Sequence, residues 1–125
     1  NSLPLDDSRP AIIGVEQNLG GASIQYRAED PWAAAPAGAY VLTVAPESAP
    51  AGGLTVAIGF QQGTPVTLDG RALAPVAFLQ ELNRLAGAHG AGRFDIIENR
   101  IAGHKTREIY ESPAVAVLMT ARRAL

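Results

Sequence analysis

Apolar residues recur at two different periods along this chain, and the switch between them lays out its elements. Between positions 74 and 88, Phe78, Leu79, Leu82, Leu85 and Ala86 fall on i, i+3, i+4, i+7 spacing. One such stripe predicts an amphipathic helix. Pro75 suits its first turn, where a missing N–H costs nothing. Gly87 or Gly90 can supply the left-handed stop at its end. Elsewhere the β-forming residues come in short runs, at 11–16, 22–27, 40–44, 54–60 and 64–68, and each predicts a strand. The run at 40–44 is Tyr-Val-Leu-Thr-Val. Gly63 after Gln61-Gln62 marks a tight hairpin turn, and Asp69-Gly70 closes the following strand. Positions 17–21, 29–38 and 45–53 read as turn or loop, with Trp32 as a plug on the core.

The span 89–113 departs from this simple patterning. Phe94, Ile96, Ile97, Ile101, Ile109 and Tyr110 interleave with Asp95, Glu98, Asn99, Arg100, Lys105, Arg107, Glu108 and Glu111. A half-buried strand pair normally keeps its polar side chains on the solvated face. Two extended segments joined at Ala102-Gly103 are expected here, and their charge density fits either a solvated hairpin edge or a polar site. Arg93, Asp95, Arg100 and Arg107 are expected to form an ion-pair lattice holding the hairpin. Lys105 is expected to be solvated, and His89 and His104 to be loop residues. From Pro113 the chain turns to Ala, Val, Leu and Met and predicts a second helix running into the last residues. The resulting fold class is α+β, mostly antiparallel sheet with one or two packed helices.

Size and composition narrow the function. At 125 residues the chain is one domain at 11–125, with 1–10 as a lead-in or junction. A formal net charge of -2 gives no reason to expect nucleic acid or an anionic membrane as partner. There is no cysteine, which excludes disulfides and thiolate metal sites, and two histidines fifteen positions apart are a weak basis for any metal. No apolar run reaches the roughly 20 residues of a membrane span and no signal-peptide profile opens the chain, so a cytoplasmic protein is expected. No phosphate loop with Lys and Ser/Thr is present, nor a nucleophile elbow. The glycines at 87–92 follow a helix and enter a strand, the wrong order for a pyrophosphate cradle.

Gly92-Arg93-Phe94-Asp95-Ile96-Ile97-Glu98-Asn99-Arg100, then Gly103-His104-Lys105-Thr106-Arg107, then Ile109-Tyr110-Glu111-Ser112-Pro113 together resemble the C-terminal synthetase domain of argininosuccinate synthases. That family typically shows GRIDIVENR, G-M-K-S-R and Y-E-T-P at the same spacing. Glu16-Gln17-Asn18-Leu19, Ser23-Ile24, Glu29-Asp30-Pro31-Trp32, Leu42-Thr43-Val44-Ala45-Pro46 and Gly63-Thr64-Pro65-Val66 agree in order and spacing.

The resemblance implies an ATP-dependent, AMP-forming carbon–nitrogen ligase of arginine biosynthesis, joining citrulline to aspartate. The citrulline ureido oxygen attacks the α-phosphorus, pyrophosphate leaves, and the aspartate amine displaces AMP. It implies that Glu98, Tyr110 and Ser23 bind citrulline and that none of this chain's residues is catalytic. ATP with magnesium would bind an N-terminal nucleotide domain lying outside this sequence, so no cofactor and no metal are expected in this chain. The partners implied are citrulline, that nucleotide domain and further copies in a homo-oligomer, whose C-terminal arm would begin about where this sequence ends.

Five departures accompany the match. Gly14 stands where the family has a further citrulline-contacting Ser, His104 where it has Met, Thr106 where it has Ser, and Glu108 where it has Gly. Gln17 also replaces the Glu of DENL. A lost substrate hydrogen bond costs roughly 0.5–1.5 kcal/mol. In isolation the chain is expected to be inactive; the alternative reading is a stand-alone, non-catalytic amino-acid-binding or interaction module.

Overall fold

The computed structural model describes residues 12–27, 34–101, 103 and 105–125. The expected lead-in at 1–10, the Trp32 plug and His104 lie outside them. Among the described residues, seven strands form two antiparallel sheets, and two α-helices pack on the smaller one. β1 (Ile12–Asn18), β2 (Gly21–Arg27), β6 (Arg93–Asn99) and β7 (Lys105–Glu111) make a four-stranded sheet in the order β1-β2-β7-β6. β3 (Ile58–Gln61), β4 (Thr64–Leu68) and β5 (Arg71–Ala72) make the second. Helices α1 (Pro75–Ala88) and α2 (Pro113–Arg123) pack together, and α1 also packs on β4. The α+β expectation holds.

The smaller sheet and the helices share one core. Phe78 and Leu82 of α1, Leu68 of β4 and Ala114 of α2 are buried, with Val56, Ile58, Leu79, Leu85, Val117 and Leu118 packed around them. The hairpin turns follow the sequence. Gln62 (φ 49) with Gly63 (φ 79), and Asp69 (φ 49) with Gly70 (φ 76), have the positive φ at both central positions that matches the twist of two-residue hairpins. The run at 54–60 pairs only from Ile58 onward. Its would-be partner turns at Asp69, whose carboxylate accepts from Ala57 N at 2.7 Å and whose own N–H donates to Ala57 O. β5 was not expected from sequence; two residues are too few for a pattern.

Helix α1 starts at Pro75, as expected, and Gly90 (φ 69), not Gly87, makes its left-handed stop. Gly90 N donates to Gly87 O and Ala91 N to Ala86 O, the paired bonds that satisfy a helix's last carbonyls. Gly87 has a different task. A Cβ there would collide with Leu42 O, and Val44 N donates to Gly87 O at 3.0 Å. Its bare backbone lets the segment 42–44 lie directly on the helix. Helix α2 has no cap from Ser112; instead Asn83 Oδ1 of α1 accepts from Ala114 N at 2.8 Å. The Asn83 amide also donates to Leu19 O at 2.9 Å, so one side chain ties α1 to α2 and to the β1–β2 turn.

The strand expected at 40–44 does not form. Residues 41–43 curl instead around the carboxylate of Glu111, which is 0% exposed. Val41 N donates at 2.7 Å, Leu42 N at 3.1 Å, Thr43 N at 2.8 Å and Thr43 Oγ1 at 2.5 Å. Successive N–H groups converging on an anion outweigh the β-propensity of Tyr-Val-Leu-Thr-Val, because a buried carboxylate without donors costs several kcal/mol. The segment so fixed covers the inner face of the large sheet, where Ile24 and Ile109 pack with Ala39, Ala35 and Tyr40.

Two stability outcomes follow. Glu111→Gln is nearly isosteric but presents an amide NH2 to N–H donors, and about 2–4 kcal/mol of stability should be lost. Urea midpoints measure it, and an unchanged midpoint would refute the anchoring role. Gly87→Ala should be destabilising by about 1–3 kcal/mol, although alanine ordinarily favours a helix interior by about 1 kcal/mol over glycine. Thermal melts of the two proteins decide the sign.

Candidate functional site

Strand alternation gives the large sheet two faces. Glu111 and Ile109 point to the covered face; Thr106, Glu108 and Tyr110 point to the other. Register puts Ser23 opposite Tyr110 and Gln25 opposite Glu108 on one side, and Phe94 opposite Tyr110 and Glu98 opposite Thr106 on the other. On β1, Glu16 pairs with Ser23 and Gly14 with Gln25. All three residues singled out from sequence therefore share one face. Tyr110 joins them. Its hydroxyl donates to Glu98 Oε1 at 2.9 Å, and with Ser23 it lines a cleft of about 190 Å³ bounded by Glu16, Asn18, Gly21 and Ser112.

The phenol of Tyr110 is held above the ordinary 10.0, first by its hydrogen bond to Glu98, then by burial and by the charges of Glu98 and Glu108; Arg100 opposes them. At neutral pH the hydroxyl is thus a donor to Glu98. Glu98 itself is about one-third exposed, with a side-chain accessibility of 35%. A carboxylate positioned by a phenol and open to solvent suits an ammonium group.

Glu108 was not singled out from sequence as a site residue. It is 3% exposed and accepts from Gln25 Nε2 at 2.7 Å, from Thr106 Oγ1 at 3.1 Å and from Arg100 Nη2. Arg100 Nε donates to Thr106 Oγ1 at 2.8 Å, while its Nη1 stands 3.9 Å from Glu98 Oε2. The signal that could have found Glu108 is phase: it sits two residues from Tyr110 on the same strand, hence on the same face.

The expected four-residue ion lattice is instead split between the faces. Asp95 and Arg107 form a two-pronged pair at 2.6 Å for each prong on the covered face. Arg100 belongs to the cleft face. Arg93 makes neither pair; its guanidinium stacks 3.3 Å from the ring centre of Tyr40. Burial above all, with Asp95 adding to it, pushes the Tyr40 phenol up, and Arg93 and Arg107 pull the other way. Lys105 is exposed, with Asn99 Oδ1 accepting from it at 2.5 Å. His89 caps the end of α1.

A larger hollow of about 500 Å³ lies between β3 and α2, lined by Val56, Ile58, Phe60, Val117, Ala121 and Leu125 among others. Its walls carry no ionisable side chain. Among the described residues no cluster of three or more His, Asp or Glu could hold a metal, and no helix is long and apolar enough to cross a membrane.

The profile described as "Arginosuccinate synthase C-terminal domain" matches residues 13–125. Relatives called argininosuccinate synthase include those of Chlorobium phaeobacteroides, 42% identical over all of this chain and 31% of that protein, and of Halalkalibacterium halodurans, 47% identical over 98% of this chain and 30% of that protein. The Geobacillus kaustophilus protein of the same name is 46% identical, again over 98% of this chain and 30% of its own length. The chain thus spans about 30% of the length of the curated relatives it matches. By that match across 13–125 and these identities, the chain belongs to the C-terminal domain family of argininosuccinate synthase.

Proposed function

We propose that this domain supplies the citrulline side of an argininosuccinate synthase-type ligase. The observation carrying this reading is the Tyr110–Glu98 hydrogen bond of 2.9 Å on the face that also holds Ser23. The Glu98 carboxylate receives the α-ammonium of citrulline, Tyr110 fixes the orientation of that carboxylate, and Ser23 offers a hydroxyl across the strand pair. Holding the amino-acid end on rigid strands leaves the ureido oxygen free to meet the α-phosphorus of ATP. Positioning of that kind lowers the barrier by restricting two reactants before they react.

ATP is a co-substrate that the residues described here do not fit. The one glycine-rich stretch, at 87–92, spends its N–H groups on closing α1: His89 and Ala91 donate to Ala86 O, and Gly90 to Gly87 O. No concave row of free donors remains in that stretch for a triphosphate. On this reading the nucleotide is bound by a separate domain, and this domain alone does not act as a ligase.

Titration of the chain with citrulline, followed by NMR shifts, tests the reading. Saturable shifts at Ser23, Glu98 and Tyr110 are expected, with Glu98→Gln weakening binding at least about ten-fold for the loss of a charge-assisted contact. Binding that ignores this substitution, or shifts clustered in the β3–α2 hollow, would count against it.

A pH series gives a second check. Because the Tyr110 proton is held more tightly here than in an unfolded chain, the Tyr110–Glu98 contact is intact below the ordinary tyrosine value of 10.0 and is lost as pH rises through the higher folded value. The ionisation midpoint of Tyr110, read from tyrosine ring-carbon NMR, should therefore lie above 10.0 and fall toward it in Glu98→Gln; a midpoint that ignores this substitution would refute the contact.

A further inference from the structure

We propose that Glu108 is a positioning residue that keeps Arg100 off Glu98, leaving the Glu98 carboxylate open to the ammonium group of an amino-acid ligand. The inference rests on the citrulline-side reading above and deepens it.

Arg100 lies between two carboxylates of one sheet face. It is in direct contact with Glu108 through Nη2, while its closest approach to Glu98 is 3.9 Å through Nη1. The distinction matters because a guanidinium paired in full with a carboxylate occupies both oxygens with parallel N–H bonds. Were Arg100 so paired with Glu98, the ligand ammonium would have to displace it. Glu108 prevents this by offering Arg100 a better partner. The Glu108 carboxylate is already buried and is fixed by Gln25 Nε2 at 2.7 Å and Thr106 Oγ1 at 3.1 Å, so its position costs little further ordering. Thr106 Oγ1 also accepts from Arg100 Nε at 2.8 Å, which orients the guanidinium plane toward Glu108. Glu98, by contrast, takes one strong donor from among the described residues, the Tyr110 hydroxyl.

The register places this carboxylate in one row with another departure. Gly14, Gln25, Glu108 and Ile96 align across the four strands. Where the family pattern has a Ser in β1 and a Gly in β7, this row has a Gly in β1 and the carboxylate in β7, with Gln25 between them.

The experiment compares the parent chain with Glu108→Gln and with Arg100→Met/Glu108→Gln, using citrulline titration and the ionisation of Tyr110 read from tyrosine ring-carbon NMR, assigned with Tyr110→Phe. Glu108→Gln keeps an acceptor for Gln25 and Thr106 but releases Arg100. Citrulline should bind about ten-fold more weakly, as expected when one charged contact is masked. Tyr110 should ionise at lower pH, because a guanidinium on Glu98 weakens its hold on the phenol proton. Removing Arg100 as well should restore most of the affinity and return the Tyr110 midpoint upward.

A double variant as weak as Glu108→Gln alone would overturn the proposal, as would a Tyr110 midpoint that Glu108→Gln leaves unmoved. If the parent chain takes up no citrulline, the citrulline-side reading fails on its own terms. The Tyr110 midpoints still report whether Glu108 governs the placement of Arg100.

Discussion

A carboxylate with no access to water holds this domain in shape. Glu111 ends β7 on the covered face of the large sheet, and its two oxygens take the N–H groups of three consecutive residues and a threonine hydroxyl. Desolvating such a group costs several kcal/mol, and bonds to a charged acceptor return about 1.5–3 kcal/mol each. The balance is met only when the segment 41–43 is curled in place. That segment in turn rests on Gly87 of α1 and helps close the core over Ile24 and Ile109. One side chain thereby joins the large sheet, its cover and the first helix.

The same constraint reaches the cleft. Successive strand residues point to opposite faces, so a slip of one position would exchange every inward side chain for an outward one. With Glu111 and Ile109 pinned inward, Tyr110 and Glu108 have to face the cleft. The two carboxylates at either end of this arrangement have opposite surroundings. Glu111 is saturated by backbone donors and has nothing left to offer a ligand. Glu98, partly exposed and oriented by a phenol, retains room for one more donor. The fold anchors with one and presents the other.

Much of this was legible in the sequence wherever local chemistry and tertiary demand agree. Phe78, Leu79, Leu82, Leu85 and Ala86 formed the stripe of α1, and the Gln-Gly and Asp-Gly pairs made the turns they suggested. The three site residues taken from the family resemblance, Ser23, Glu98 and Tyr110, fall on one face because their strand phases agree. Legibility ended where a distant partner decides the outcome. Tyr-Val-Leu-Thr-Val at 40–44 has every local mark of a strand, yet Glu111, some 68 to 70 residues away, takes its N–H groups. Asn83 reads as an ordinary polar position on a helix, although it caps another helix. Charge on both faces of β6 and β7 left a solvated edge and a polar site equally open, since each face finds its partners only through pairings set by the whole sheet.

The departures from the family pattern gain meaning from the same register. In one dimension Gly14 and Glu108 are separate oddities, one a lost hydroxyl and the other an added carboxylate. Across the sheet they share a row, with Gln25 between them and hydrogen-bonded to Glu108 at 2.7 Å. A buried carboxylate arising without donors would have been strongly destabilising, whereas here a glutamine, a threonine and an arginine receive it. Thr106 supplies one of those donors through a hydroxyl that a serine at this position would also carry. In this chain the carboxylate at 108 is fully received by its neighbours, and the Glu98–Tyr110 contact on the same sheet face stands beside it intact.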